Sequence, residues 1–455
     1  MQHETSAPGE APGRMRRRDL VLLCAAAVAL QTIVWMVALS IVARYVAMYR
    51  GGATTPDLEH YALVADYVRH GWWPYVQFRF EYPPLALVPI LAPPTPSSVA
   101  AYGAEFRAVM VVVYAATAVV TTLAAARIWP TLGRPLGAAV AFAFGVAAIG
   151  LTALNRYDGT VALIVAATLV CLICRRWAWA GLFVGLGFSL KLMPIVLLPL
   201  ALVLVRTWRR AALVVALAAA GAILPFVPFL VRGAGGVWTS LFAGQAGRGA
   251  GIESLMATPY LLAQVAGLGH VTVVQVPGGS TELSAPGMAA LVTAAPLLVL
   301  VLLAILYAVA WRARHALRDD AEAIVVVALA AILASICGNK LISPQHVIWL
   351  LPLAALGVMS TRASYRVPAV LVLVAAVLTQ AEYPFLYDNM VGLHAAGVLA
   401  VSIRNGLLVA AYVAALVAVW QRRVAEPASG MAPTFGTATE PAAAQSPPVQ
   451  PLTGS

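Results

Sequence analysis

Charged residues are scarce in this chain: Asp, Glu, Lys and Arg make up only 10% of its 455 residues. A soluble domain carries about 25% charged residues, so this chain cannot cover a water-facing surface with polar groups. The cysteines number only four and all lie in apolar stretches, so that no disulfide framework is indicated. Hydrophobic residues, in contrast, make up 62%. Despite the net charge of +11, this composition excludes a disordered or nucleic-acid-binding protein and predicts a polytopic membrane protein.

Apolar segments that can cross a membrane recur between short breaks that carry arginine. They predict an all-α bundle of about twelve transmembrane helices. The predicted spans are 20–43, 108–126, 136–153, 159–174, 178–190, 192–205, 211–231, 288–311, 322–338, 345–360, 367–381 and 395–420. The fifth and sixth are short and adjacent, so they form either two spans or one broken, re-entrant element.

The arginines predict the orientation of the bundle. If all twelve segments cross, alternate connections lie on the same side, and seven arginine clusters fall on one side. The positive-inside rule makes that side cytoplasmic and predicts a plasma-membrane protein with both termini inside. The clusters are Arg14 to Arg18, Arg127 with Arg134, Arg175 with Arg176, Arg206 to Arg210, Arg312 to Arg318, Arg362 with Arg366, and Arg422 with Arg423. Disordered cytoplasmic tails are predicted over 1–19 and 424–455, on either side of a membrane domain over 20–423.

The two longest connections, 44–107 and 232–287, fall on the opposite, extracytoplasmic side. In the first of them, Thr55 followed by Pro56 predicts a helix start. The apolar residues that follow share one face, which predicts a helix lying on the membrane surface. Asp57 and Glu59 fall in the first turn of this helix. They either offset the helix dipole or provide a carboxylate placed to act as a base.

Other polar residues on this side also allow two interpretations. Arg156 and Asp158 lie in one outer turn, where they either pair with each other or contribute to a site. Lys191, at the end of an apolar span, is costly in lipid unless it is paired, faces water or reaches the interface. Arg248 and Glu253, in the second long loop, are also compatible with an ordinary surface pair.

The entry to the tenth span is crowded with polar side chains: Lys340, Gln345 and His346 fall within seven positions of one another. A single histidine in such a place is commonly structural. The convergence of three polar groups at the start of an apolar span favours a functional role instead.

Taken in their order along the chain, the motifs resemble those of glycosyltransferase family 87. These are the polyprenyl-phosphate-mannose-dependent mannosyltransferases of actinobacteria, which have the C-type membrane fold. The resemblance covers roughly residues 50–360. It depends on Asp57, Gly71 to Tyr75, Tyr82-Pro83-Pro84-Leu85, Arg156-Tyr157-Asp158, Lys191 with Pro194, Glu253-Ser254, and Ser343-Pro344-Gln345-His346. The chain departs from the family pattern at one position: His346 follows Ser-Pro-Gln where the family usually has an aromatic residue.

The resemblance implies a cell-envelope enzyme that moves a hexose, with mannose expected, from a polyprenyl-phosphate donor to a lipid or glycan acceptor on the extracytoplasmic side. Asp57 is implied as the base of an inverting displacement. Residues expected to bind the donor phosphate are Arg156, Lys191, Lys340 and His346. Residues expected to support the site are Glu59, His60, Glu81, Tyr82, Asp158, Arg248, Glu253 and Gln345. Asp57-Leu58-Glu59 is also a variant of the metal-binding Asp-x-Asp pattern, but a monophosphate leaving group has less need of a divalent ion, so no metal is expected to be required.

The alternative function is transport, for instance by a flippase of lipid-linked sugars. Alternating access usually needs a binding site at the membrane midplane, often between internal repeats. The sequence has no visible repeat, and its polar residues collect at one side. These features favour the enzyme.

Overall fold

The computed structural model describes residues 15–49, 55–94, 97–276 and 280–424. Most of this part of the chain is helical. The predicted tails fall outside the described residues, except at their inner ends. There the first helix already begins at Arg17, inside the predicted tail, and the last helix ends at Val424.

Twenty α-helices and three β-strands are assigned within the described ranges. The helices are α1 (Arg17–Tyr49), α2 (Pro56–Arg69), α3 (Leu87–Leu91), α4 (Val99–Ile128), α5 (Gly133–Ile149), α6 (Leu151–Asn155), α7 (Asp158–Ile173), α8 (Trp177–Lys191), α9 (Leu198–Leu204), α10 (Trp208–Ile223), α11 (Val227–Trp238), α12 (Gly244–Ala246), α13 (Thr258–Val265), α14 (Met288–Arg312), α15 (Arg314–Leu317), α16 (Ala321–Cys337), α17 (Leu351–Gly357), α18 (Ala363–Gln380), α19 (Tyr387–Val391) and α20 (Ala395–Val424). The strands are β1 (Ala250–Gly251), β2 (Thr272–Val276) and β3 (Ser280–Ser284). The 3-10 helices Met193–Leu197 and Pro344–Leu350 lead into α9 and α17, and the π-helix Ala381–Phe385 follows α18.

Each of the twelve predicted spans coincides with helical structure. Six stretches among the described residues are long and apolar enough to cross a membrane: Arg17–Ser40, Val99–Ile128, Trp208–Ala246, Met288–Arg312, Ala363–Phe385 and Ala395–Arg422. Four shorter apolar helices are Gly133–Ile149, Asp158–Ile173, Met193–Leu204 and Ala321–Cys337. The chain is therefore a multi-pass membrane protein, and the count of twelve crossings stays a prediction.

The helices α7 and α8 define two ends of the bundle. Each has 15 or 16 residues and is about 24 Å long at 1.5 Å per residue. At one end, the Lys191 Nζ lies 3.5 Å from Asp158 Oδ1. At the other, in the turn between the two helices, the Arg175 Nη2 lies 2.6 Å from Asp319 Oδ1. We call these the Lys191 end and the Arg175 end.

The two short spans around Lys191 form a pair that folds back on itself. α8 stops at Lys191 because Leu192 has φ of +57°, a left-handed conformation that residues other than glycine rarely adopt. The helical segment Met193–Leu204 then returns to the Arg175 end, where Arg318 Nη2 donates a hydrogen bond of 2.9 Å to the carbonyl of Val205. The break fixes the position of the lysine at the turning point.

Small residues allow α8 and α10 to approach closely. A Cβ atom on Gly185 would lie 2.1 Å from the carbonyl oxygen of Ala218, and one on Gly181 would lie 2.4 Å from that of Val214. These contacts explain why glycine recurs at a spacing of four residues on this face of α8.

The helix α2 begins at Pro56, as predicted, with Thr55 in an extended conformation before it. Its apolar face consists of the buried residues Leu58, Tyr61, Val64 and Ala65. The predicted position of this face on the membrane surface is wrong, because protein covers it. The Tyr61 ring, for example, lies 5.4 Å from the ring of Phe106 on α4. An apolar helical face has the same sequence pattern whether lipid or protein buries it.

The first outer loop is shorter than the predicted 44–107, since α1 continues to Tyr49 and α4 begins at Val99. Arg107 therefore lies within a helix. Its Nε donates a hydrogen bond of 2.9 Å to Asn155 Oδ1 on α6. The last residue of the predicted loop is thus a buried partner of a neighbouring helix.

The second outer loop corrects the prediction of an all-α chain. Helical structure first continues to Ala246, well past the predicted start of the loop. The loop then contains an antiparallel sheet with strand order β1-β3-β2. Strand β2 is rich in β-branched residues, which favour strands. In a chain with so many apolar residues, a strand of five residues does not stand out by composition.

Candidate active site

The candidate site lies at the Lys191 end, where the start of α2 meets the turn between α6 and α7. Asp57, the second residue of α2, forms an ion pair with Arg156 in that turn. Their side chains are 21% and 24% exposed, respectively. This pair is therefore partly shielded from water but still open to a substrate.

A second ion pair lies beside the first. Asp158 is fully buried at the start of α7. Its Oδ1 accepts a hydrogen bond of 2.8 Å from Trp349 Nε1 and lies 3.5 Å from Lys191 Nζ. The simplest sequence interpretation, in which Arg156 pairs with Asp158, is wrong: each of them pairs with a residue distant in the chain.

Tyrosine rings surround the ammonium group of Lys191. Its Nζ lies 4.4 Å from the centroid of the Tyr157 ring and 5.3 Å from that of Tyr82. The centroids of Tyr82 and Tyr61 are 6.0 Å apart. Cation–π contacts of this kind stabilise a charged lysine without neutralising it. The ring faces therefore add to the ion pair with Asp158 in stabilising the ammonium group.

His346 contributes a neutral hydrogen-bond donor. Its Nδ1 accepts a hydrogen bond of 3.1 Å from the backbone N–H of Ser343, as part of the cap of the following 3-10 helix. An accepting Nδ1 carries no proton, so the ring is the neutral tautomer protonated at Nε2. The charged neighbours of the ring are Lys191, Arg156 and Arg404. The Nε2–H is accordingly placed among cations at the Lys191 end.

The surroundings of Asp57 shift the pKa of its carboxyl group in opposing directions. Burial raises the pKa of its carboxyl group above the ordinary value, while the positive charges of Arg156 and Lys191 act in the opposite direction. The net shift is upward. A carboxylate with a raised pKa takes up a proton more readily than an ordinary one.

The sequence model of glycosyltransferase family 87 matches residues 80–344, more than half of the chain. The chain belongs to glycosyltransferase family 87. The resemblance found in the motifs is confirmed, and the protein is a membrane glycosyltransferase. Both Asp57 and His346 lie outside the matched range, Asp57 well before its start and His346 just after its end, so the match gives no support for their roles.

Two solved structures of ArnT from Cupriavidus metallidurans are similar to this transferase. The structure bound to undecaprenyl phosphate has 17% sequence identity and a TM-score of 0.46, and the match covers 91% of this chain and 79% of that chain. The structure in the apo state has 16% identity and a TM-score of 0.45, with 88% and 79% covered. No curated protein sequence matches the chain.

Two of the predicted residues take part in a separate arrangement in the second outer loop. The Lys340 Nζ donates hydrogen bonds of 3.2 Å and 2.7 Å to the backbone carbonyls of Ala246 and Arg248. The Arg248 side chain in turn lies 3.5 Å from Glu282 on β3. These contacts make Lys340 and Arg248 anchors of the second outer loop. The remaining candidates to bind the donor phosphate are Arg156, Lys191 and His346. Together with Asp57, we call these residues the Asp57 group.

The remaining predicted residues of the first loop differ in their surroundings. Glu59 is exposed on α2. Glu81 is partly buried, and its carboxylate lies 3.6 Å from the guanidinium group of Arg79. His60 is closer to the site, with its ring 6.2 Å from that of Tyr82, and its buried Nε2 has no hydrogen-bond partner among the described residues. His60 thus remains a candidate to support the site.

Gln345 lies next to His346 and is buried. Its side-chain oxygen has no hydrogen-bond partner in the part of the chain that the structure describes. In the same part of the chain, no group of three His, Cys, Asp or Glu side chains is arranged to hold a metal ion.

The structure adds two residues that the sequence interpretation did not select, Glu382 and Arg404. Both are fully buried, and the Arg404 Nη1 lies 3.1 Å from Glu382 Oε2. The Arg404 Nη2 also donates a hydrogen bond of 2.7 Å to the carbonyl of Glu253. The signal was present in the sequence, because an arginine inside an apolar span requires a partner.

Glu253 and Glu382 compete for this one guanidinium group. Burial raises the pKa of Glu253 well above its ordinary value, the negative charge of Glu382 raises it further, and Arg404 opposes both effects. We expect Glu253 to hold a proton at neutral pH. The cluster is then neutral, with Glu382 and Arg404 as its ion pair.

Replacing Arg404 with Met should lower the free energy of unfolding by about 3–5 kcal/mol, since it leaves the buried carboxylate of Glu382 without its cation. Glu382→Gln should cost less, because Glu253 can ionise and become the partner of Arg404. Thermal unfolding of both variants in one detergent compares them. An Arg404→Met protein that unfolds at the wild-type temperature would contradict this account of the cluster.

Proposed function

We propose that this transferase moves a hexose, with mannose as the first candidate, from a polyprenyl-phosphate donor to a hydroxyl group of a lipid or glycan acceptor. The observation that supports this proposal is the pairing at one open position of a carboxylate, Asp57, with a cation, Arg156. Transfer of this kind needs both a base for the acceptor and a positive charge for the phosphate. Lys191 and His346 add a second cation and a neutral donor beside them.

Asp57 is the proposed base. The acceptor oxygen attacks the anomeric carbon as its proton passes to the Asp57 carboxylate, and the bond from that carbon to the phosphate oxygen breaks. A single displacement inverts the configuration, so a β-linked donor gives an α-linked product. Asp57 carries the higher pKa that this step favours.

Negative charge develops on the leaving phosphate as the Asp57 carboxylate is neutralised by the proton. When Asp57 takes the proton it becomes neutral, and Arg156 loses its anionic partner. The guanidinium is then free to stabilise the phosphate oxygen on which negative charge develops. Lys191, which keeps Asp158 as its own partner, and the Nε2–H of His346 complete the proposed phosphate site.

We propose that no divalent metal is required. The Asp57 carboxylate forms an ion pair with Arg156. Glu59, the other acidic residue of the Asp-x-Glu pattern, is exposed. The cations therefore take the place at the leaving group that a metal ion fills in other transferases.

The positive-inside rule supports a proposed location for the site. The Arg175 end holds arginines from several clusters assigned to the cytoplasm, whereas the Lys191 end holds both lysines. We therefore place the site at the extracytoplasmic face of the plasma membrane. Membership of a glycosyltransferase family favours this function over the transporter alternative.

Asp57→Asn should lower transfer of labelled mannose from polyprenyl-phosphate mannose to membrane acceptors by about 100-fold or more, because the amide cannot take the proton. The control is Glu59→Gln, which removes a carboxylate of the same helical turn and should keep near wild-type activity. Both proteins should be present at equal amounts in the membrane. Substantial transfer by Asp57→Asn would exclude the base assignment.

The pH dependence of kcat/KM should show an acid limb above the ordinary carboxylate range of about 4, since activity requires ionised Asp57 and its pKa is raised. Arg156→Gln should move this limb to higher pH, because Arg156 lowers the pKa of Asp57. The position of the limb is measured separately from the loss in rate. A limb at the same pH in both proteins would argue against Asp57 as the titrating group.

Lys191→Met should raise the KM for the lipid-linked donor about tenfold, with little change in the KM for the acceptor, because a desolvated phosphate contact of about 1.4 kcal/mol is lost. Lys191→Met should also lower the unfolding temperature, because it leaves the buried Asp158 carboxylate without its cation. Lys340→Met removes the other lysine and should lower the unfolding temperature by loosening the second loop, with no change in the KM for the donor. Equal effects of Lys191→Met on both KM values would contradict a donor-phosphate role.

A further inference from the structure

A cavity of about 190 Å³ opens at the Arg175 end, on the side of the bundle away from the Asp57 group. Four arginines line it: Arg175, Arg206, Arg210 and Arg318. They come from the turn after α7, the segment before α10, the first turn of α10 and the segment before α16. Only the tertiary structure brings these four together.

The positive charge in the cavity exceeds the negative charge that faces it. Asp319 is the acidic residue among the lining side chains, and its carboxylate lies 2.6 Å from Arg175 and 3.3 Å from Arg206. Arg318 is committed to backbone carbonyls of Val203 and Val205. Burial lowers the pKa of Arg318, and the charges of Arg206 and Arg314 lower it further. The positive charge that remains can be balanced by an additional anion.

The backbone conformation at Arg175 is one that usually requires glycine. Its φ is +57°, at the residue after the C-terminal turn of α7, where glycine is the usual choice. Residues other than glycine are held in this region at a cost of about 1 kcal/mol. The chain places an arginine there, and its side chain reaches the cavity.

Apolar side chains and nearby exposed tryptophans indicate that the cavity lies beside the headgroup layer of a membrane. Leu172, Ile173 and Leu204 form an apolar part of its wall. Tryptophans at neighbouring helix ends are exposed: Trp179, Trp208 and Trp311 are 57%, 77% and 53% exposed, respectively. Exposed tryptophans at the ends of membrane helices mark the lipid–water interface. A ligand in the cavity would therefore have its charged part among arginines and an apolar part beside the helices.

We propose that the arginine cavity, lined by Arg175, Arg206, Arg210 and Arg318, binds the phosphate of an anionic phospholipid headgroup from the leaflet at the Arg175 end. The volume suits a headgroup, since pockets for whole drug-sized ligands measure about 300–1,000 Å³. Guanidinium groups are the side chains best suited to phosphate. A bound headgroup would brace the turn between α7 and α8, the two helices that carry Asp158 and Lys191 at their far ends.

The test measures the binding of phosphatidylglycerol that is titrated into detergent micelles of the full-length protein, with phosphatidylcholine as the comparison without net headgroup charge. Phosphatidylglycerol should bind more tightly and raise the unfolding temperature. Arg210→Gln should weaken this binding about tenfold, since it removes a charge-assisted hydrogen bond to the phosphate. The matched control is Arg209→Gln, which removes the same charge from the adjacent residue, whose guanidinium lies over the ring of Trp208.

Each outcome is decisive. Loss of binding in Arg210→Gln but not in Arg209→Gln supports the cavity. Equal losses in both variants would show a diffuse attraction of the whole basic surface and overturn the proposal. Equal binding of both lipids would overturn it as well. Competition by inorganic phosphate at concentrations as low as those of phosphatidylglycerol would assign the cavity to a soluble phosphate compound instead of a lipid.

Discussion

Charges inside an apolar helical bundle must find opposite charges, and the site of this transferase depends on how two such pairs are arranged. Asp57 pairs with Arg156, and Lys191 pairs with Asp158. Ions that leave water without a partner cost several kcal/mol each, so that neither pair can be opened without compensation. In the proposed reaction, a negatively charged donor and the uptake of a proton by Asp57 together provide that compensation. The same constraint that stabilises the resting site thus couples its two chemical parts.

The helices around these pairs hold the charges in place. Leu192 ends α8 abruptly, and the close contact of α8 with α10 at Gly185 fixes the helix that carries Lys191. Behind the site, the buried pair of Glu382 and Arg404 anchors the backbone carbonyl of Glu253. The second outer loop is therefore tied to the last helix of the bundle. Ion pairs organise the loops here, while apolar packing organises the helices.

The helices were predictable from the sequence, whereas several of the ion-pair and loop contacts were not. The motif order identified the family. Asp57 contacts Arg156, whereas Lys191 contacts Asp158 and not Asp57. Lys340 was grouped with them because it also ends an apolar span, but its ammonium binds backbone carbonyls of the second loop. Arg404 was passed over inside a predicted span, although its charge was the strongest signal in that segment.

The sequence alone determined that the chain is a helical membrane protein, because apolar segments and arginine breaks are properties of composition and order. It also determined the family, because short motifs in a fixed order are visible without coordinates. The tertiary structure alone decided which charges pair, which face of α2 protein covers, and that four separated arginines share one cavity. The physical reason is that an ion pair or a buried face requires two partners, and spacing along one chain does not reveal which distant residue is the second.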